Sequence, residues 1–109
     1  MMVQTRLVET SPDNQRLSDA EVADALHELR GWSVEAGKLQ RQFTFSDFGA
    51  AIAFMVEVAF DAERLEHHPN WSNVYNRVEV AIYSHDLGGI SQRCVALAKA
   101  MDAASAPQL

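Results

Sequence analysis

Glu63-Arg64-Leu65-Glu66-His67-His68-Pro69-Asn70-Trp71-Ser72-Asn73-Val74-Tyr75-Asn76-Arg77-Val78-Glu79-Val80-Ala81-Ile82-Tyr83-Ser84-His85-Asp86 is the stretch on which the fold turns. Pro69 disfavours helical geometry at His68 and cannot itself continue a helix. A helix through Glu63 is therefore predicted to stop at the His67-His68 pair and leave both rings at its mouth. From Arg77 to Ser84 the apolar Val78, Val80 and Ile82 alternate with Arg77, Glu79 and Tyr83, the period of a strand with one buried face. His85 and Asp86 follow just beyond that strand. Three of the chain's four histidines thus gather around one helix end and one strand.

Working back from Glu63, no proline interrupts the chain as far as Phe48. Ser46 is the predicted N-cap, with Asp47 favourable beside the helix dipole. A helix of about 20 residues, carried on to the histidine pair, spans roughly 30 Å, enough to cross a sheet. On a helical wheel Phe48, Ile52, Met55, Ala59 and Ala62 make one apolar face, and Ala51, Phe54, Val58 and Leu65 widen it. Glu57, Asp61 and Arg64 form a narrow polar strip. A helix apolar over so much of its circumference is expected to be covered twice, by its own sheet and by a second subunit with Phe54 and Val58 in the contact, the alternative being cover by other helices of the same chain.

Further out, Ser18 and Glu21 form a capping-box pattern, and Val22, Ala25, Leu26 and Leu29 fall at helical spacing. They predict a helix from Ser18 to Arg30 stopped by Gly31, with His27 off its apolar face as a solvated histidine. Trp32 to Val34 and Leu39 to Phe45 flank Glu35-Ala36-Gly37-Lys38 and read as a hairpin, with one lapse in the alternation at Arg41. Asn73-Val74-Tyr75 and Arg77 to Ser84 make a second pair of strands with a turn near Asn76-Arg77. After Gly88-Gly89, Ser91 caps a final helix running to about Ala103 through Val95, Leu97, Ala98 and Met101. The expected fold is α+β, a two-layer sandwich of a four-stranded antiparallel sheet with three helices packed on one face. Residues 18–103 make its single domain, between tails at 1–17 and 104–109.

A chain of 109 residues is one domain by size. A net charge of −6 with only nine Lys and Arg excludes the basic face that nucleic acid requires. Glu57 interrupts the longest apolar segment, so no membrane span is expected. The lone cysteine, Cys94, has no internal disulfide partner, and the N-terminal residues lack a secretory pattern, so the expected location is cytoplasmic.

The histidine cluster admits three chemistries. Adjacent residues on a helix point about 100° apart, so His67 and His68 are poorly placed to grip one ion, although His85, one of the pair and a carboxylate could converge on a metal. A structural role would have the pair capping helix carbonyls and Trp71 filling a core edge. The third is proton transfer by imidazoles that titrate near neutrality.

The stretch resembles the signature of the pterin-4a-carbinolamine dehydratases, a family that also includes a dimerisation cofactor of a homeodomain transcription factor. The resemblance rests on Glu63, on Glu66-His67-His68-Pro69 with Trp71, on Asn73-Val74-Tyr75-Asn76, and on His85 followed by an acid and Gly88-Gly89. It extends back through Gly31-Trp32 and Phe43-Thr44-Phe45-Ser46-Asp47-Phe48 and forward through Ser91, covering roughly residues 17 to 101. One departure stands out: Cys94 occupies the position, three after Ser91, where the family has an acid. Loss of that acid from the capping box implies a cost of about 1 kcal/mol or less, and leaves open any substrate contact the acid would make.

The resemblance implies dehydration of a 4a-hydroxytetrahydropterin to the quinonoid dihydropterin and water, in support of tetrahydrobiopterin recycling. This elimination needs an acid for the departing hydroxide and a base for N5, but no cofactor and no metal. His67 and His68 are the implied acid and base pair, with the order open, and His85 positions or polarises the hydroxyl. Glu63, one turn before His67, is expected to fix that ring's tautomer and raise its basicity, and Asp86 to do the same for His85. Trp71, and secondarily Trp32, offers an aromatic wall for the flat pterin, and Tyr83 and Ser84 present backbone groups to its edge. The resemblance further implies a homotetramer, a dimer of dimers, and a functional link to an aromatic amino acid hydroxylase. Two rival roles accompany it: an interaction or dimerisation cofactor, and an enzyme acting on another pterin in molybdopterin metabolism.

Overall fold

The computed structural model describes residues 15–106. Of the predicted tails, residues 1–14 and 107–109 lie outside the described residues. The elements run α1 (Asp19–Leu26), β1 (Ser33–Glu35), β2 (Lys38–Thr44), α2 (Phe48–Leu65), β3 (Asn70–Val74), β4 (Arg77–Ile82) and α3 (Gln92–Ser105). The four strands form one antiparallel sheet in the order β1-β2-β4-β3. The expected α+β sandwich of a four-stranded sheet and three helices is what the chain builds.

Alternation decides which side chains line the core. Leu39 and Phe43 of β2 and Val78, Val80 and Ile82 of β4 are buried on the sheet's inner face. Against them pack Ala51, Phe54, Val58 and Ala62 of α2 and Leu97, Ala98 and Met101 of α3. Phe54 sits between Phe43 and Phe45, with ring centroids 4.8 and 5.0 Å away. α1 adds Val22, Ala25 and Leu26 at the margin of this core. Leu17 joins it too, its amide donating to the Ile90 carbonyl at 2.8 Å, so the chain is already docked one residue before Ser18.

Arg41 faces inward like its neighbours Leu39 and Phe43, which accounts for the lapse in alternation. Its guanidinium lies over the Phe43 ring, 4.2 Å from the centroid, and pairs with Asp102 of α3 at 2.7 Å. The Trp32 indole N–H donates to the same Asp102 oxygen at 2.8 Å. One carboxylate thus satisfies two polar groups at the edge of the core, as burial requires.

Three local expectations are corrected. α1 ends at Leu26 rather than Arg30, because the amides of His27, Glu28 and Leu29 each bond three residues back and tighten the last turn. Gly31 still turns the chain, at φ 85°, where a Cβ would also stand 3.2 Å from the Arg41 guanidinium. The N-cap of α2 is Asp47, whose carboxylate accepts from the Ala50 amide at 2.8 Å, and not Ser46. Finally, Phe54 and Val58 are fully buried in this chain's own core. The large apolar residues of α2 that face outward are Phe48, Ile52, Val56 and Phe60, the last 73% exposed.

Candidate active site

Two chain reversals assemble the site. α2 ends at Leu65, and Glu66 takes the left-handed conformation (φ 54°), its amide and that of His67 returning to carbonyls of the last turn. Such a conformation is uncommon outside glycine and throws His67, His68 and Pro69 clear of the helix axis toward β3. The register then places them. Asn70 of β3 pairs with Ala81 of β4, so the residues just before β3 reach the sheet end where β4 runs out into Tyr83 and Ser84.

The second reversal follows β4. Ser84 and Gly89 form an isolated antiparallel bridge, with Ser84 N–H to Gly89 O at 2.7 Å, closing a tight loop over His85–Gly88. Arg16 forms a matching bridge with Ser91 at the start of α3. A Cβ at Gly89 would meet the Arg16 side chain at 2.7 Å, so any larger residue there would have to displace that arginine. The loop delivers His85 and the N-terminal turn of α3 to the same end of the sheet as the histidine pair.

Each imidazole has its own partner. His68 Nε2 lies 2.8 Å from Glu63 Oε1, and both side chains are largely exposed, at 65% and 75%. His67 Nε2 lies 3.2 Å from Cys94 Sγ. His85 Nε2 lies 2.7 Å from the Tyr83 hydroxyl, with the two rings 4.6 Å apart. Lys38 in turn sits over the Tyr83 ring, 4.5 Å from its centroid. Two expected pairings are therefore corrected. Glu63 bonds His68 rather than His67, because the left-handed turn at Glu66 breaks the helical register on which a contact to His67 depended. Among the described residues no hydrogen bond joins Asp86 to His85, and Tyr83 occupies that role.

Electrostatics separates the members of the pair. Burial, reinforced by the nearby positive Arg93 and by His68, holds His67 below the ordinary histidine value of 6.5. Its basicity is lowered, contrary to the expectation that a carboxylate would raise it. Burial likewise pushes the Cys94 thiol above its ordinary 9.0, so the sulfur stays protonated at neutral pH.

Trp71 is half-buried, opposite Val80 in register and packed against the core. Trp32 is buried edge-on against Phe43 with its N–H on Asp102, and no hydrogen bond or ring contact among the described residues ties it to the histidines. Ser84 serves through its backbone in the Gly89 bridge. The residue whose role the sequence reading missed is Cys94. Its thiol accepts from the Ser91 amide at 3.4 Å, taking up the cap interaction expected to be lost, and it also touches His67. The signal was its place where a family acid stands. Among the described residues no group of three or more His, Cys, Asp or Glu is arranged to hold a metal ion, and no helix is long and apolar enough to cross a membrane.

The chain has known relatives. A profile of the family described as pterin 4 alpha carbinolamine dehydratase matches residues 15–104. A Rhizorhabdus wittichii protein provisionally named pterin-4-alpha-carbinolamine dehydratase is 52% identical over 89 residues, covering 80% of this chain and 92% of that protein. One of the same provisional name from Synechococcus is 56% identical over 75 residues, 69% of this chain and 81% of its own. The crystal structure of a transcriptional coactivator/pterin dehydratase from Brucella melitensis superposes with a TM-score of 0.80 at 39% identity, covering 83% of this chain and 98% of that one.

Proposed function

The chain belongs to the pterin 4 alpha carbinolamine dehydratase family, and on that premise we propose that it converts a 4a-hydroxytetrahydropterin to the quinonoid dihydropterin and water by histidine acid/base chemistry. The observation that carries this reading is the pair of adjacent imidazoles at the end of α2, each held by a different partner: His68 by Glu63 and His67 by Cys94.

The reaction removes the N5 proton, breaks the C4a–O bond and forms a C4a–N5 double bond, with no change of oxidation state. One group must accept a proton while another stabilises the departing oxygen, and a placed acid or base contributes about 10² to 10⁴ in rate. His67 and His68 take these roles. His85, steadied by the Tyr83 hydroxyl, positions the 4a oxygen, and Trp71 provides the aromatic surface along which the bicyclic ring lies. In this role the protein clears the 4a-hydroxy product of an aromatic amino acid hydroxylase, and a separate two-electron reduction of the quinonoid dihydropterin completes tetrahydrobiopterin recycling.

The outward stripe of Phe48, Ile52, Val56 and Phe60 on α2 supports a homo-oligomer, because large apolar side chains aligned on one helix face are ordinarily covered. The test of the activity is to add the protein to a phenylalanine hydroxylase reaction and follow the 4a-carbinolamine absorbance. It should decay faster than it does unaided; an unchanged decay at high protein concentration overturns the reading.

A further inference from the structure

Cys94 is fully buried at the start of α3, with its sulfur 3.2 Å from His67 Nε2, 3.4 Å from the Ser91 amide nitrogen and 3.6 Å from Ser91 Oγ. The Ser91 amide can only donate, so it occupies a lone pair of the sulfur. The protonated thiol then has one hydrogen to give, to the Ser91 hydroxyl or to the imidazole. The imidazole nitrogen is the nearer of the two and the stronger base. With the S–H directed there, Nε2 of His67 is an acceptor and the ring's own proton resides on Nδ1.

His68 is held in the opposite sense. A carboxylate accepts and does not donate, so Glu63 requires the proton of the neutral His68 ring to sit on Nε2, leaving a lone pair on Nδ1. Among the described residues neither Nδ1 has a hydrogen-bond partner.

We propose that Cys94 is a positioning residue that holds His67 in the Nδ1–H tautomer, so that the two adjacent histidines face the substrate with opposite polarity. His67 is the hydrogen-bond donor to the 4a oxygen, and His68 is the base for N5. This division of roles rests on the dehydratase reading and assigns the order within the pair. His68 Nδ1 takes the N5 proton, and the N–H electron pair becomes the second C4a–N5 bond. The C4a–O pair leaves with the hydroxide, which His67 Nδ1–H stabilises. The hydroxide then collects the proton that His68 hands back, directly or through a water, and leaves as water. His67 remains neutral throughout, consistent with burial, Arg93 and His68 all opposing its protonation. A carboxylate at position 94 would invert the arrangement, drawing a proton onto Nε2 and favouring the imidazolium.

Nitrogen-15 NMR of the histidine rings in the substrate-free protein tests the tautomer directly. Wild type should show His67 as neutral Nδ1–H. Cys94→Ser should keep that tautomer, since a hydroxyl can also accept from Ser91 and donate to the ring. Cys94→Asp should switch the ring to Nε2–H and raise its pKa by about one unit or more. In the dehydratase assay Cys94→Asp should lose activity as pH rises through the raised His67 pKa, because only the imidazolium then carries a proton on Nδ1, whereas Cys94→Ser should keep the wild-type profile. An Nε2–H tautomer in wild type, or a Cys94→Asp protein with unaltered tautomer and pKa, overturns the proposal. If Cys94→Asp does not fold, the wild-type and Cys94→Ser spectra still decide it. A wild-type protein with the expected tautomer but no dehydratase activity would overturn the functional reading instead.

Discussion

Glu63 Oε1 stands 2.8 Å from His68 Nε2, spanning five residues across the end of α2. The contact orients a ring that otherwise has an exposed, freely turning side chain, and a fixed ring is what proton transfer to a bound substrate requires. His68→Ala should therefore lower turnover by about 10² to 10⁴. Glu63→Ala should cost less, about tenfold, because a solvent-exposed hydrogen bond is worth little. If His67 and His68 act as one unit, the double alanine variant should be scarcely worse than the poorer single one. The 4a-carbinolamine decay measures all four, and full activity in the double variant would show the pair to be structural.

Titration of His67 should be visible in stability. Its folded pKa lies below the 6.5 of the unfolded chain, so between those values the unfolded state binds more protons than the folded one. Stability must then rise with pH through that window, and be lost as pH falls below about 6.5. Urea midpoints collected between about pH 5 and 8 should show this slope in wild type and a shallower one in His67→Ala. Identical slopes would mean that burial does not oppose protonation of this ring.

The outward face of α2 makes a sharp distinction between neighbouring residues. Val56 and Phe60 are 54% and 73% exposed, whereas Phe54 and Val58 are at 0%. Val56→Asp/Phe60→Asp should leave the subunit folded but yield smaller particles by sedimentation velocity. Phe54→Asp should instead unfold it, since core truncation alone costs about 3–5 kcal/mol and a buried unpaired charge adds to that. A wild-type protein that sediments as a monomer removes the basis for an oligomer on this face.

Asp102 joins α3 to the sheet by accepting from both Trp32 and Arg41. Asp102→Ala strands two donors at the core edge, and about 1–3 kcal/mol of stability should be lost. The chemical denaturation midpoint checks this. A loss below about 0.5 kcal/mol, the range of an ordinary surface change, would show that water replaces the carboxylate without penalty.

Local rules reached much of this protein from residues alone. Pro69 and the alternation of Val78, Val80 and Ile82 place a helix end and a strand around three histidines, because backbone sterics and side-chain period act over a few residues. The capping box at Ser18 and Glu21 is realised, with both bonds formed at 2.8 and 3.1 Å. Glu66 adopts a left-handed conformation that no local preference for glycine announces, and this alone moves the Glu63 contact from one histidine to the next.

Residue types and their spacing were enough for the fold class, the element order and the gathering of the histidines near one end of the sheet. Tertiary structure decided which partner each imidazole received. Cys94 meets His67 across 27 residues, and Asp102 meets Arg41 and Trp32 across 61 and 70. It also decided which apolar side of α2 faces the core, since hydrophobic residues lie on both sides and the wheel cannot rank them. The physical reason is the same in each case: periodicity reports that a side chain is apolar or polar, whereas its neighbour is set by how helices seat on a twisted sheet.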